Sequence, residues 1–149
     1  MIDGGARPVR LERALTVCQP YAELLARGLK TIENRTWPSP VLGPLWIHAG
    51  KSREWLAPED IADYPHMVFG ALVARVELYA CIRVEQLPDR LKDNPHANGP
   101  WCWLVRNPYA LERPRPVRGA QGIWTLPADL AADVRGEFDA REDARRVPA

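Results

Sequence analysis

The sequence predicts a single α+β domain built on a small, curled β-barrel, and three features carry that expectation. Residues 70–84 alternate without a break: Leu72, Ala74, Val76, Leu78, Ala80 and Ile82 oppose Val73, Arg75, Glu77, Tyr79, Cys81 and Arg83, so one face is expected to be core throughout. A strand of that length needs a bent or barrel-like sheet. Shorter strand patterns recur on both sides of it, and the helical signals are confined to short connections and the C-terminal end.

In chain order, residues 1–13 form a lead-in, with two glycines and a proline and no periodicity. Residues 14–17 are a short apolar strand. Pro20 then suits the first turn of a helix whose Ala22, Leu25 and Ala26 make an apolar stripe, and Gly28 ends it as a left-handed cap. Residues 31–37 read as a strand, as do residues 45–49 beyond a Pro/Gly turn, where Leu45 and Ile47 face one side and Trp46 and His48 the other. The stretch 51–67 holds loop and helix signals, with Pro58-Glu59-Asp60 opening a short helix. After the long strand, 86–100 is a polar connection. Residues 101–107 form a strand with Trp101, Trp103 and Val105 in phase, Asn107-Pro108 reads as a turn, and 109–117 and 123–126 follow as further extended segments. Leu130, Val134 and Phe138 recur at helical spacing, so residues 128–149 read as an amphipathic helix and a charged tail.

Composition bounds the function. A chain of 149 residues, 46% apolar and 26% charged, suits one domain with a real core. No apolar run approaches the roughly 20 residues of a membrane span, and residues 1–10 lack the apolar core of a secretory signal, so a cytoplasmic location with no membrane contact is expected. Cys18, Cys81 and Cys102 are widely spaced, and the three histidines have no ligand spacing, so neither disulfides nor a metal site is expected. The net charge of +1 divides into about +3 over residues 1–127 and −2 over the remainder. No global basic field announces a polyanionic partner. Arg113, Arg115 and Arg118 crowd one segment, but Gly119-Ala120-Gln121-Gly122 is too short for a phosphate-binding fingerprint.

One stretch gathers chemistry. Alternation along 31–37 puts Thr31, Glu33, Arg35 and Trp37 on one face, with Lys30 just before them. Such a face is either solvated charge or a site in which a carboxylate and a guanidinium orient each other beside an indole. If strand 45–49 pairs with strand 31–37, His48 joins the group.

The strings Q-P-Y-A-E-L-L-A-R-G-L-K-T-I-E-N-R-T-W at 19–37 and G-P-L-W-I-H-A at 43–49 resemble the ASCH domain family. So do N-G-P-W-C-W-L-V-R-N at 98–107 and P-V-R-G-A-Q-G-I-W-T-L-P at 116–127, and the resemblance covers residues 14–127. It implies a PUA-like fold, a small β-barrel with helices packed at its openings. It also implies that single-stranded RNA or DNA is held in a cleft beside the G-x-K-x-x-E-x-R pattern, here Gly28, Lys30, Glu33 and Arg35. Lys30 and Arg35 would then meet phosphates, with Glu33 fixing Arg35, while Tyr21, Trp37 or Trp103 stacks a base and His48 and Arg118 stand at the margin. No cofactor is expected.

The resemblance leaves two other classes open. Some ASCH proteins are hydrolases, either amidohydrolases acting on N4-acetylcytidine or ribonucleases. The amidohydrolases are similar to K-x-x-T at this place, whereas here Glu33 stands three residues after Lys30, with Thr31 adjacent. The catalytic candidates for an enzyme are Lys30, Glu33, Thr31 and His48, with Glu33 as general base beside Lys30. The third class is a protein-interaction module.

Overall fold

In the computed structural model the described residues are 11–146, so residues 1–10 of the expected lead-in and 147–149 of the expected tail lie outside them. Six strands form one sheet: β1 (Arg13–Val17), β2 (Ile32–Arg35), β3 (Gly43–Ala49), β4 (Ala71–Arg83), β5 (Trp101–Pro116) and β6 (Ile123–Thr125). Four helices accompany it: α1 (Tyr21–Ala26), α2 (Pro58–Asp63), α3 (Asp89–Lys92) and α4 (Ala128–Arg146). The strand order is β2-β5-β4-β3-β1-β6, with β1 parallel to β3 and every other pairing antiparallel. The sheet curls into a half-barrel, and with its helices the domain is of the α+β class.

The strand at 45–49 does not pair with its predecessor. β2 pairs with β5, while β3 lies between β4 and β1. Adjacency in sequence fails here because β4 and β5, of 13 and 16 residues, offer longer ladders than any pairing between short strands. The turn expected at Asn107-Pro108 is also absent as a turn. β5 runs straight through it, with Asn107 at a left-handed φ of 52° and an extra residue opposite Arg75–Glu77 on β4.

These bulges change what the alternation in β4 means. Val73 is extra against β3, and Tyr79 is extra against β5. Each bulge shifts the phase of the strand by one residue. Leu72 therefore packs with Trp46, Tyr109 and Val134. Ala74, Val76 and Leu78 pack in the main core with Leu15, Leu25, Ile47 and Trp103, and Ala80 and Ile82 lie against Ile32 and Leu104. One run of alternating residues serves three clusters, not one uninterrupted face.

Helix α1 follows Pro20 and buries Ala22, Leu25 and Ala26; Gly28, at φ 73°, takes the left-handed conformation expected of its cap. Gln19, 1% exposed, fastens this corner: its side chain accepts from Glu23 N at 2.9 Å and donates to Val68 O at 2.9 Å. Helix α4 is longer than its apolar pattern suggested and buries Val134 completely. Glu12 ties that helix to the sheet. It is 5% exposed, accepts from Trp46 Nε1 at 3.0 Å and meets Arg135 at 2.9 Å. No described helix is long and apolar enough to cross a membrane.

Val76 is 1% exposed in the middle of the main core. An unpaired carboxylate there costs several kcal/mol, comparable to the whole stability of a domain this size. Val76→Asp is therefore expected to yield insoluble or non-cooperatively melting protein, whereas a soluble variant with a sharp thermal transition would contradict this core assignment.

Candidate functional site

Helix α1 and strand β2 converge at the open seam of the half-barrel. Lys30, on the turn after Gly28, is 3% exposed. Its ammonium donates to the Ile32 carbonyl, stands 3.4 Å from Glu33 Oε1 and lies 5.4 Å from the centre of the Tyr21 ring. Glu33 is 8% exposed and lies between two cations, with Arg35 Nη2 at 2.8 Å and Nε at 3.0 Å from its other oxygen. Arg35 Nη2 also donates to the Thr16 carbonyl on β1, at 3.0 Å.

That last bond spans the sheet's two ends. β2 is one edge of the strand order and β1 is next to the other, so Arg35 closes by a side chain what no backbone ladder closes. Arg35 Nη1 makes no protein hydrogen bond among the described residues, and the side chain keeps 24% of its exposure.

Electrostatics follow from depth. Burial pushes the Lys30 ammonium below its ordinary range, against the pull of Glu33 in the opposite direction. Burial, then the Glu33 carboxylate, raises the thiol of Cys18, which favours its protonated form beside the cluster.

The other expected residues fall into place unequally. Tyr21 and Trp37 are half-buried and packed on the main core. Trp103 is 0% exposed, its Nε1 donating to the Trp37 carbonyl at 3.1 Å and its ring meeting Trp37 edge-on at 4.9 Å. It has no open ring face for a base and instead props Trp37. Thr31 is exposed, and only its carbonyl is engaged, accepting from Val105 N at 3.0 Å.

His48 reaches the group through Thr16 and not through Glu33. Its Nε2 donates to the Val117 carbonyl at 2.7 Å, which fixes the tautomer, and its Nδ1 accepts from Thr16 Oγ1 at 3.1 Å. Trp124 Nε1 donates to the same hydroxyl at 3.1 Å. Exposed Arg118 lines a cleft of about 400 Å³ beside this chain of bonds, with Lys51. Gly119 seals one wall, because a Cβ there would stand 2.6 Å from both His48 Cε1 and Thr16 Oγ1.

Two residues of the site region were invisible as such in the sequence. Asn34, on the face opposite Glu33, donates to His96 O at 2.8 Å and accepts from Gly99 N at 2.7 Å, so it holds the 94–99 loop against β2. Thr16 sat in a strand read only as apolar. Its one signal was being the polar residue within 14–17. Of the basic run, Arg115 is engaged by Asp133 and Glu137 on α4, both at 2.9 Å.

Burial lowers the His48 imidazole from its ordinary value of 6.5. The unfolded chain therefore binds a proton more readily than the folded one, and stability is complete above about pH 6.5 and falls as the pH drops below it. Urea unfolding from about pH 8 to about pH 5.5 should show the midpoint declining through this window, less steeply in His48→Gln. An equal decline in both proteins would show that His48 is not the group responsible.

Over residues 15–114 the chain matches the ASCH domain. It is 28% identical over 135 residues to activating signal cointegrator 1 of Homo sapiens and 27% identical to that of Mus musculus. Each alignment covers 78% of this chain, which spans only 22% of the length of these relatives. Among solved structures, ASCH from Zymomonas mobilis superposes with a TM-score of 0.54 at 16% identity, covering 84% of this chain and 94% of that one. A mutant of the same bacterial protein gives 0.53 over 85% and 98%. The bacterial likeness, at that identity, speaks to the fold, while the family match rests on the sequence itself: the chain belongs to the ASCH domain family.

Proposed function

We propose that this domain binds single-stranded nucleic acid, RNA in preference to DNA, along the seam between β2 and β1. The observation that carries the reading is the state of Arg35: Glu33 and the Thr16 carbonyl hold it in place, yet Nη1 is unengaged and part of the side chain is open. A pre-positioned guanidinium with an unengaged edge suits a phosphate oxygen, because little side-chain entropy remains to be lost on binding. Tyr21 and Trp37 are half-buried aromatics nearby, Trp37 propped by Trp103. Lys30 acts from below: its ammonium, 3.4 Å from Glu33 Oε1, backs the carboxylate that holds Arg35, and at 3% exposure it does not itself reach the ligand. Arg118 and Lys51, around the His48 cleft, extend the positive potential past Thr16.

A second reading rests on a different observation. A lysine whose ammonium is destabilised by burial, 3.4 Å from a carboxylate, is the kind of pair that proton-transfer chemistry uses. It supports a hydrolase acting on N4-acetylcytidine or on RNA, with Glu33 as the base. Thr31, the other candidate beside Lys30, is exposed and lines the same small cleft as Lys30.

Anisotropy titration of a short labelled single-stranded RNA separates these readings. Trp37→Ala and Tyr21→Ala, checked for folding, should each lose about 1–3 kcal/mol of binding at every salt concentration, as removal of a stacking face does. Arg35→Gln should weaken binding and flatten its salt dependence by about 0.7 per phosphate no longer neutralised. Three folded variants binding like the wild type would refute the seam as a nucleic-acid site. Turnover of acetylcytidine by wild type, lost in a folded Glu33→Gln protein, would establish the hydrolase instead; binding of neither ligand would leave protein interaction.

A further inference from the structure

We propose that the cleft between α4 and the outer face of the sheet is a second anion site, one that takes phosphate groups of the strand bound at the seam. The inference rests on the nucleic-acid reading for the identity of the ligand, but its geometry is independent of the Glu33 cluster. The cleft measures about 800 Å³. Its walls are the second half of α4, the middle of β4 and β5, and the end of α1, which contribute Arg27, Arg75, Arg141, Arg145 and Arg146. Two carboxylates also line it, Glu77 and Glu142, so the walls carry an excess of positive charge.

Neither carboxylate forms an ion pair with the central arginine, and Glu142 meets Arg145 at 3.7 Å. Glu77 is engaged by Arg106 at 2.7 Å and by Asn107 Nδ2 at 2.9 Å, and Arg75 forms no ion pair among the described residues. Arg75 Nε is buried and has no hydrogen-bond partner among the described residues, and no other buried side-chain nitrogen or oxygen there lacks one. A buried donor in that state has given up water without compensation unless something outside the chain accepts from it. Burial, then the neighbouring Arg135, disfavours the charge of Arg75, and an anion in the cleft would relieve both effects.

Arg75 and Arg141 are held by aromatic faces, which leaves their hydrogen-bonding edges available, whereas Arg27 meets Glu23 and Arg145 meets Glu142. The Arg75 guanidinium lies 3.8 Å from the centre of the Phe138 ring, Phe138 meets Tyr109 edge-on at 5.6 Å, and Arg141 lies 5.6 Å from the Tyr109 ring. Tyr109 is anchored in turn by its hydroxyl, which donates to Glu137 at 2.6 Å. Stacking of this kind orients a guanidinium without neutralising it. Several such forks around one cleft match a multiply charged phosphate ligand better than a single carboxylate.

The cleft also has a route to the family motif. A smaller cleft of about 280 Å³ shares Asn107 and Pro108 with it and continues past Arg106 to Lys30 and Thr31. A backbone lying at the seam can therefore extend toward α4 along a path bordered by Arg106 and Arg27. The recognition is of phosphate, not of base edges, and the ligand chemistry is shared by a polynucleotide and by a small phosphate compound.

The test uses the whole chain, a labelled single-stranded RNA, and inorganic pyrophosphate as a separate probe. Arg141→Ala/Arg145→Ala changes exposed helix positions and should leave the melting temperature near that of the wild type. Its RNA affinity should fall and its log–log salt slope should become shallower by about 0.7 for each phosphate no longer neutralised, while Trp37→Ala keeps the slope. Arg75→Met, checked for folding, should do the same from the cleft's centre. Wild-type affinity and slope in the double variant would overturn the inference and leave the seam site standing. If the wild type binds no RNA but pyrophosphate raises its melting temperature, and not that of the double variant, the cleft takes a free phosphate and only the nucleic-acid source falls. Failure of both probes would overturn the cleft as an anion site.

Discussion

The bond from Arg35 to the Thr16 carbonyl is the constraint on which the rest of this domain depends. A six-stranded sheet whose edge strands have only four and three residues has little ladder with which to close on itself. A guanidinium reaching from β2 to β1 fixes the width of the seam, and Glu33 fixes the guanidinium. Glu33 is itself tolerable at 8% exposure because two cations face it. Removing either partner from such a buried cluster leaves charge uncompensated, at about 3–5 kcal/mol, so these three residues shape the half-barrel as well as its opening. Site and fold are the same interaction seen from two directions.

Some of this was legible before any coordinates. The frame of Pro20 and Gly28 around a one-sided helix, the split of Leu45 and Ile47 from Trp46, and the Leu130–Val134–Phe138 stripe all follow from local geometry, and the structure has each of them. The face shared by Glu33 and Arg35 was legible for the same reason, since a period of two is intrinsic to an extended chain. What stayed hidden depends on partners distant in sequence. Which strand lies beside β2 is decided by the ladders of β4 and β5, and no pattern within 31–49 encodes it. The bulges at Val73 and Tyr79 leave no composition signal, yet they divide one alternating run among three cores.

Depth was the other hidden quantity. Lys30, Arg35 and Trp103 read alike as polar or aromatic groups near a cleft, but they lie at very different levels. Lys30 and Trp103 are sealed, at 3% and 0% exposure, and Arg35 is partly open. A lysine's long stem can carry its charge outward or inward, and here the Ile32 carbonyl and Glu33 draw it inward. The sequence names the residue types of such a cluster; tertiary packing leaves Arg35 partly open and seals Lys30 beneath it.

Net charge behaves in the same way. A total of +1, with a mildly acidic end, gave no reason to look for a cationic surface on the C-terminal helix. The acids of α4 are not spread evenly over its surroundings, however. Asp133 and Glu137 are drawn to Arg115 on β5, Asp139 pairs with Arg135, and Arg135 in turn reaches Glu12. Once those pairs form, their charges cancel locally over a distance shorter than the Debye length, and the field beyond them is set by the charges left over. Arg75, Arg141 and Arg146 remain without an ion pair among the described residues, and all three border one cleft. Composition averages over such pairing, whereas the fold sorts it, so a nearly neutral chain can present a strongly cationic recess.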